Sequence, residues 1–134
     1  MRLDSVVLFS PQHRQARNVA HNKVKLTEYE MKVLEMMLAP IVEPETWATI
    51  MSKYSVKNFE SNQNAGYFLT IQVEGLNLSK ETISEPNVMG AFSSYLVGFI
   101  LFVERDQITI ECHDYGNDIN SSNLRIYDFE IRRE

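Results

Sequence analysis

The chain has 134 residues, 15.5 kDa, 44% hydrophobic and 23% charged residues, and a formal net charge of −5. That length and composition fit one globular domain over residues 1–134 and exclude wholesale disorder, and the lone cysteine, Cys112, excludes an intramolecular disulfide. The charge is uneven: residues 1–25 hold Arg2, Arg14, Arg17, Lys23 and Lys25 against Asp4 alone, whereas the rest of the chain is acidic. An acidic body disfavours non-specific nucleic-acid binding and suits a basic protein partner, although solubility alone explains mild acidity in many proteins.

Residues 6–9 could form a short apolar strand, and Ser10-Pro11 is a good helix start, with a helix to about Ala20. Asp4 and the polar stretch after Ser10 interrupt any signal-peptide core, and no run reaches the roughly 18 apolar residues of a membrane span. A cytoplasmic location is the expectation. Thr27-Glu-Tyr-Glu30 is a capping box, followed by a stripe of Met31, Val33, Leu34, Met37 and Leu38. That helix must stop near Ala39-Pro40. Pro44-Glu45 begins another, with Trp47, Ile50, Met51 and Tyr54 on one face.

After Tyr54 the period changes from helical to alternating. Residues 55–60 read as a strand and 62–66 as a turn; 67–73 form a second strand with Tyr67, Leu69, Ile71 and Val73 on one face. Residues 75–94, rich in Ser, Asn and Gly, read as a long connection. The strongest signal follows. An apolar run over 95–104 meets an alternating run over 107–113 across Arg105-Asp106, which predicts a tight hairpin with a buried strand and a half-exposed partner. A polar loop over 115–122 and a final strand over 124–131 complete the pattern. Helices over about 11–54, then strands over about 55–132, predict an α+β fold: N-terminal helices packed on a largely antiparallel sheet of about five strands.

Candidates for chemistry are few. Glu111-Cys112-His113-Asp114 offers four ligating side chains in a row, but a strand turns Glu111 and His113 one way and Cys112 and Asp114 the other. With only distant His13 and His21 to help, no metal site is expected, and Cys112 reads as a small buried hydrophobe. A Cys112/His113 nucleophile pair fails on the same geometry. The five glycines are scattered singly, so no phosphate loop exists; Gly98, inside an apolar strand, predicts a bulge or close packing. No cofactor is implied. The helix with Met31, Met36 and Met37 reads as core rather than as a groove.

In its stretches 29–38, 66–73 and 97–116, the chain resembles a widespread group of small bacterial α+β proteins. That group shares a GF-hydrophobic-FVEDG-hydrophobic-LE-x-YTYG hairpin followed by a short closing strand. The resemblance covers about residues 27–131. It departs at the turn, with Asp106-Gln107 in place of Asp-Gly, and at His113-Asp114 in place of Tyr-Thr. It implies no enzymatic activity and transfers no catalytic residue. It implies an immunity protein of contact-dependent growth inhibition that binds the C-terminal toxin domain of an exoprotein made beside it.

On that expectation an acidic sheet face covers a basic toxin surface. The partner-binding set is Glu111, His113, Asp114, Tyr115, Asp118, Asp128 and Glu130, within or beside the loop 115–122. An ordinary wet sheet face explains each of these residues equally well. The alternatives are a non-enzymatic scaffold protein forming a homodimer, and a small hydrolase using Glu111 and His113.

Overall fold

A computed structural model describes residues 24–62, 66–115 and 121–134. The expected elements at 6–9 and 10–20, and His13 and His21, lie outside these residues. Helix α1 spans Glu28–Met37 and starts at the expected capping box. The Glu30 amide donates to Thr27 Oγ1 at 3.2 Å, and the Thr27 amide donates to Glu30 Oε1 at 2.8 Å. Two otherwise unpaired N–H groups are thereby satisfied. Tyr29, Val33, Leu34 and Met37 are buried, whereas Met31, expected in the stripe, is exposed. The helix ends at Leu38, and Pro40 is absorbed into a 3-10 turn over Ala39–Ile41. Helix α2, Pro44–Lys53, begins with proline in its first turn and buries Ile50, with Trp47, Met51 and Tyr54 packed against the core.

Seven strands follow: β1 Ser55–Asn62, β2 Gly66–Gln72, β3 Leu78–Ile83, β4 Val88–Phe92, β5 Tyr95–Arg105, β6 Gln107–Asp114 and β7 Glu130–Arg133. They form one sheet ordered β1-β2-β6-β5-β4-β7, with β3 also on β5, and every pairing is antiparallel. The α+β class holds, but the strand count exceeds the expected five. The stretch 75–94 is not a bare connection: β3 and β4 lie one after the other along the same edge of the 11-residue β5. β3 has four exposed residues in a row and β4 is Val-Met-Gly-Ala-Phe, so neither carries an alternating apolar pattern of its own. The long apolar partner creates both.

The last strand is also shorter than expected. Ser121–Ile126 form a second 3-10 turn, and only Glu130–Arg133 pair with β4. Leu124 is 1% exposed and Ile126 70%, so two residues that period-2 alternation places on one face are separated by the turn.

Residues directly opposite each other share a face. One face carries Tyr67, Leu69 and Ile71 of β2, Cys112, Ile110 and Ile108 of β6, and Phe99, Leu101 and Val103 of β5, all buried. α1 covers it: the Tyr29 ring lies 6.0 Å from Phe99 and 5.3 Å from Phe129. Each such side chain removed from water contributes about 1.5–3 kcal/mol, which explains why this face and not the other recruits the helices. The opposite face presents Phe68, Thr70, Thr109, Glu111, His113, Ile100 and Phe102, none of them fully buried. Among the described residues no helix is long and apolar enough to cross a membrane.

The hairpin turn settles a local question. Glu104 pairs with Gln107, leaving Arg105 and Asp106 as its two loop residues. Only Arg105 has positive φ, 59°, the sign pattern of a type II′ turn rather than type I′. The Asp106 side chain accepts from Gln72 Nε2 at 3.0 Å and its carbonyl from the Val73 amide at 2.9 Å, fastening the turn to β2.

Candidate functional site

Antiparallel pairing collects most of the expected partner-binding residues at one end of the sheet. β6 ends there, β5 starts, β4 ends and β7 starts. His113 sits opposite Gly98, Asp114 opposite Val97, and Glu130 opposite Ala91. The Tyr115 amide donates to the Leu96 carbonyl at 3.2 Å, which holds Tyr115 against the first residues of β5. Asp128 is exposed in the short segment leading into β7. Glu111 lies two residues further into β6 and faces outward with His113, roughly 7 Å away by strand geometry. Asp114, as alternation predicts, turns away from Glu111 and His113: it shares the helix-covered face with Cys112 and Val97 at the rim of the sheet. Asp118 lies outside the described residues.

Gly98 shapes the centre of this end. A Cβ there would lie 2.6 Å from His113 Nε2 and would also strike the Tyr115 hydroxyl, so the glycine leaves room for both rings. His113 and Tyr115 pack edge to face, centroids 4.9 Å apart and planes at 87°. Close packing, not a bulge, accounts for this glycine. Gly66 is different: at φ 122° its Cβ position runs into the Cys112 carbonyl, so the close approach of β2 to β6 admits no side chain there.

The four residues Glu111 to Asp114 do not converge, and among the described residues no group of three His, Cys, Asp or Glu is placed to hold a metal ion. A shallow concavity at the hairpin turn is lined by Glu104, Arg105, Asp106 and Gln107, at the opposite end of β5 and β6 from His113.

Sequence reasoning missed a buried ionic centre. Glu30 is wholly buried, yet its carboxylate accepts four hydrogen bonds. Arg125 Nε and Nη2 donate at 2.8 Å each, the Tyr67 hydroxyl at 2.5 Å and the Thr27 amide at 2.8 Å. Tyr67 spends its only proton on Glu30, so the Tyr29 hydroxyl, 2.6 Å away, donates to Tyr67. Arg125 also donates to the Lys25 carbonyl at 2.6 Å and lies 5.7 Å from the Phe59 ring centre.

Burial alone would weaken the Arg125 guanidinium's hold on its proton, but the hydrogen bonds and charge of Glu30 outweigh it and push its pKa up. Burial, reinforced by nearby negative charge including Glu30, raises the Tyr29 and Tyr67 phenols and the Cys112 thiol, so all three stay protonated. A carboxylate whose acceptor sites are all filled has none left for a substrate proton, and a neutral buried thiol is a poor nucleophile. The centre ties α1, β2 and the second 3-10 turn together. Its one trace in the sequence is Arg125 standing alone between apolar Leu124 and Ile126.

Comparison with known protein families, with curated proteins and with solved structures found no match for this chain.

Proposed function

We propose that this chain is an immunity protein that binds and neutralises the toxin domain of a contact-dependent growth inhibition system. The observation that supports this reading most is the gathering of exposed apolar and acidic side chains at one end of the sheet. Leu96 and Tyr115 are 38% and 48% exposed, with exposed Asp128 and Glu130 beside them and half-buried Glu111 and His113 on the adjoining outer face. Aromatic or apolar anchors inside a charged rim are the composition of tight protein interfaces. The acidic rim would steer a basic nuclease-like domain into place and cover its substrate site. The polar centre at Glu30 is internally satisfied, which assigns it to holding the scaffold rather than to chemistry.

Calorimetric titration with the C-terminal domain of a large exoprotein encoded immediately upstream tests the reading. A nanomolar dissociation constant that weakens in high salt is expected. No binding at micromolar concentrations, with both proteins folded, would reject it.

A further inference from the structure

A second feature of the same sheet end packs on the margin of the core and is only partly covered. Phe92 and Ile126 are 38% and 70% exposed, and Tyr95 and Tyr127 remain partly exposed. Tyr127 lies at the middle of the group. Its ring centre is 5.2 Å from Phe92 at 50°, 5.8 Å from Tyr95 at 71°, and 6.0 Å from buried Phe129 at 56°. Rings inclined at such angles form a corner rather than a flat stack, and each contributes a negative π face.

The charges around the corner are sorted. Asp128 follows Tyr127 directly, whereas Glu130 pairs with Ala91 and so lies on the opposite face of the sheet from Phe92. Both acids are exposed, and neither has an ion-pair partner among the described residues. The neighbouring cations are placed elsewhere. Arg125 turns inward to Glu30, and Arg133 pairs with Val88, three residues along β4 from Ala91, or roughly 10 Å. Arg132 lies on that far part of β7 too, opposite Met89 and 3.9 Å from Glu134.

From this arrangement we infer that the corner formed by Phe92, Tyr95 and Tyr127, with Asp128 at its rim, docks an arginine side chain of a basic polypeptide partner. A guanidinium stacks on inclined aromatic rings and presents a planar fork of donors to a carboxylate, which an ammonium does less well. The inference rests on the reading that the partner is a basic protein and adds which side chain it inserts and where.

The test is an NMR titration of the full chain with acetyl-Gly-Arg-Gly-amide, using acetyl-Gly-Leu-Gly-amide and acetyl-Gly-Glu-Gly-amide as controls. Saturable shifts of the Phe92, Tyr95 and Tyr127 ring signals with the arginine peptide alone are expected. Asp128→Asn should weaken that binding roughly fivefold. Tyr127→Leu should weaken it roughly tenfold, while Tyr127→Phe, which keeps the ring, should retain it.

Equal shifts with the leucine peptide would overturn the inference in favour of a merely apolar patch. Absence of ring shifts with the arginine peptide would also overturn it. The immunity reading fails separately. Arginine-peptide binding at this corner without binding of any upstream toxin domain would leave the inference standing and reject that reading. A toxin domain that binds Tyr127→Leu and the parent chain equally would reject the inference alone.

Discussion

Replacing Arg125 by methionine should be among the most damaging single changes available outside the apolar core. The methionine keeps much of the stem beside Phe59 but removes two charge-assisted hydrogen bonds from Glu30 and the bond to the Lys25 carbonyl. The Glu30 side chain is 0% exposed and the Arg125 side chain 17%. Stranding one member of a buried ion pair costs about 3–5 kcal/mol. The partial exposure of Arg125 lets water reach the gap, which puts the cost near the lower end, about 3 kcal/mol. Against a total stability of about 5–15 kcal/mol this is a large loss. With a urea slope of about 2 kcal/mol/M, the midpoint falls by about 1.5 M.

The assay is urea unfolding followed by circular dichroism and by the fluorescence of Trp47, the chain's single tryptophan. The double variant Glu30→Met/Arg125→Met should cost less than Arg125→Met alone, because no uncompensated charge remains; only the Tyr67 hydroxyl and the Thr27 amide lose an acceptor. A loss below about 1 kcal/mol for Arg125→Met would refute the coupling, as would additive costs in the double variant.

Alkaline pH should unfold the chain early. Native Tyr29, Tyr67 and Cys112 hold their protons above the ordinary values of 10.0 for tyrosine and 9.0 for cysteine, so the native state binds more protons than the unfolded one there. Their contribution is full below those ordinary values and is lost as pH rises beyond them, by up to about 1.4 kcal/mol per pH unit for each group. In absorbance at 295 nm, two of the six tyrosines should ionise only with unfolding; six titrating together in folded protein would contradict this. Gly98→Ala should keep the fold, costing about 1 kcal/mol or less, because the obstructed atoms are the far ends of His113 and Tyr115. It should displace that ring pair, read as changed His113 ring shifts and at least a tenfold weaker partner affinity; unchanged shifts would contradict it. Arg105→Gly should raise stability by about 1 kcal/mol by relieving the left-handed backbone at φ 59°, and a loss in chemical denaturation would contradict that assignment.

What could be read directly was local. The capping box at Thr27, the proline start of α2 and the β5–β6 hairpin each depend on residues a few positions apart, and each formed where expected. β3 and β4 were hidden because their pairing partner, β5, supplies the strand character their own residues lack. Glu30 was legible as a helix cap, but its bond to Arg125 spans 95 residues and no local pattern announces it.

The outward direction of Glu111 and His113 followed from alternation, and so did the opposite direction of Asp114. The assembly of Tyr115, Asp128 and Glu130 at one sheet end did not, because it depends on β4 lying between β5 and β7. The aromatic corner was invisible for the same reason: Phe92 and Tyr127 meet only once the chain after the second 3-10 turn reaches the end of β4.

The most direct measurement is the amide exchange footprint of the toxin domain on the full chain. Binding through the sheet end predicts slowed exchange at residues 113–115 and 127–131, with Glu28–Met37 and Pro44–Lys53 unchanged. Protection confined to those two helices, with the sheet end exchanging as in the free chain, would contradict the proposed interface.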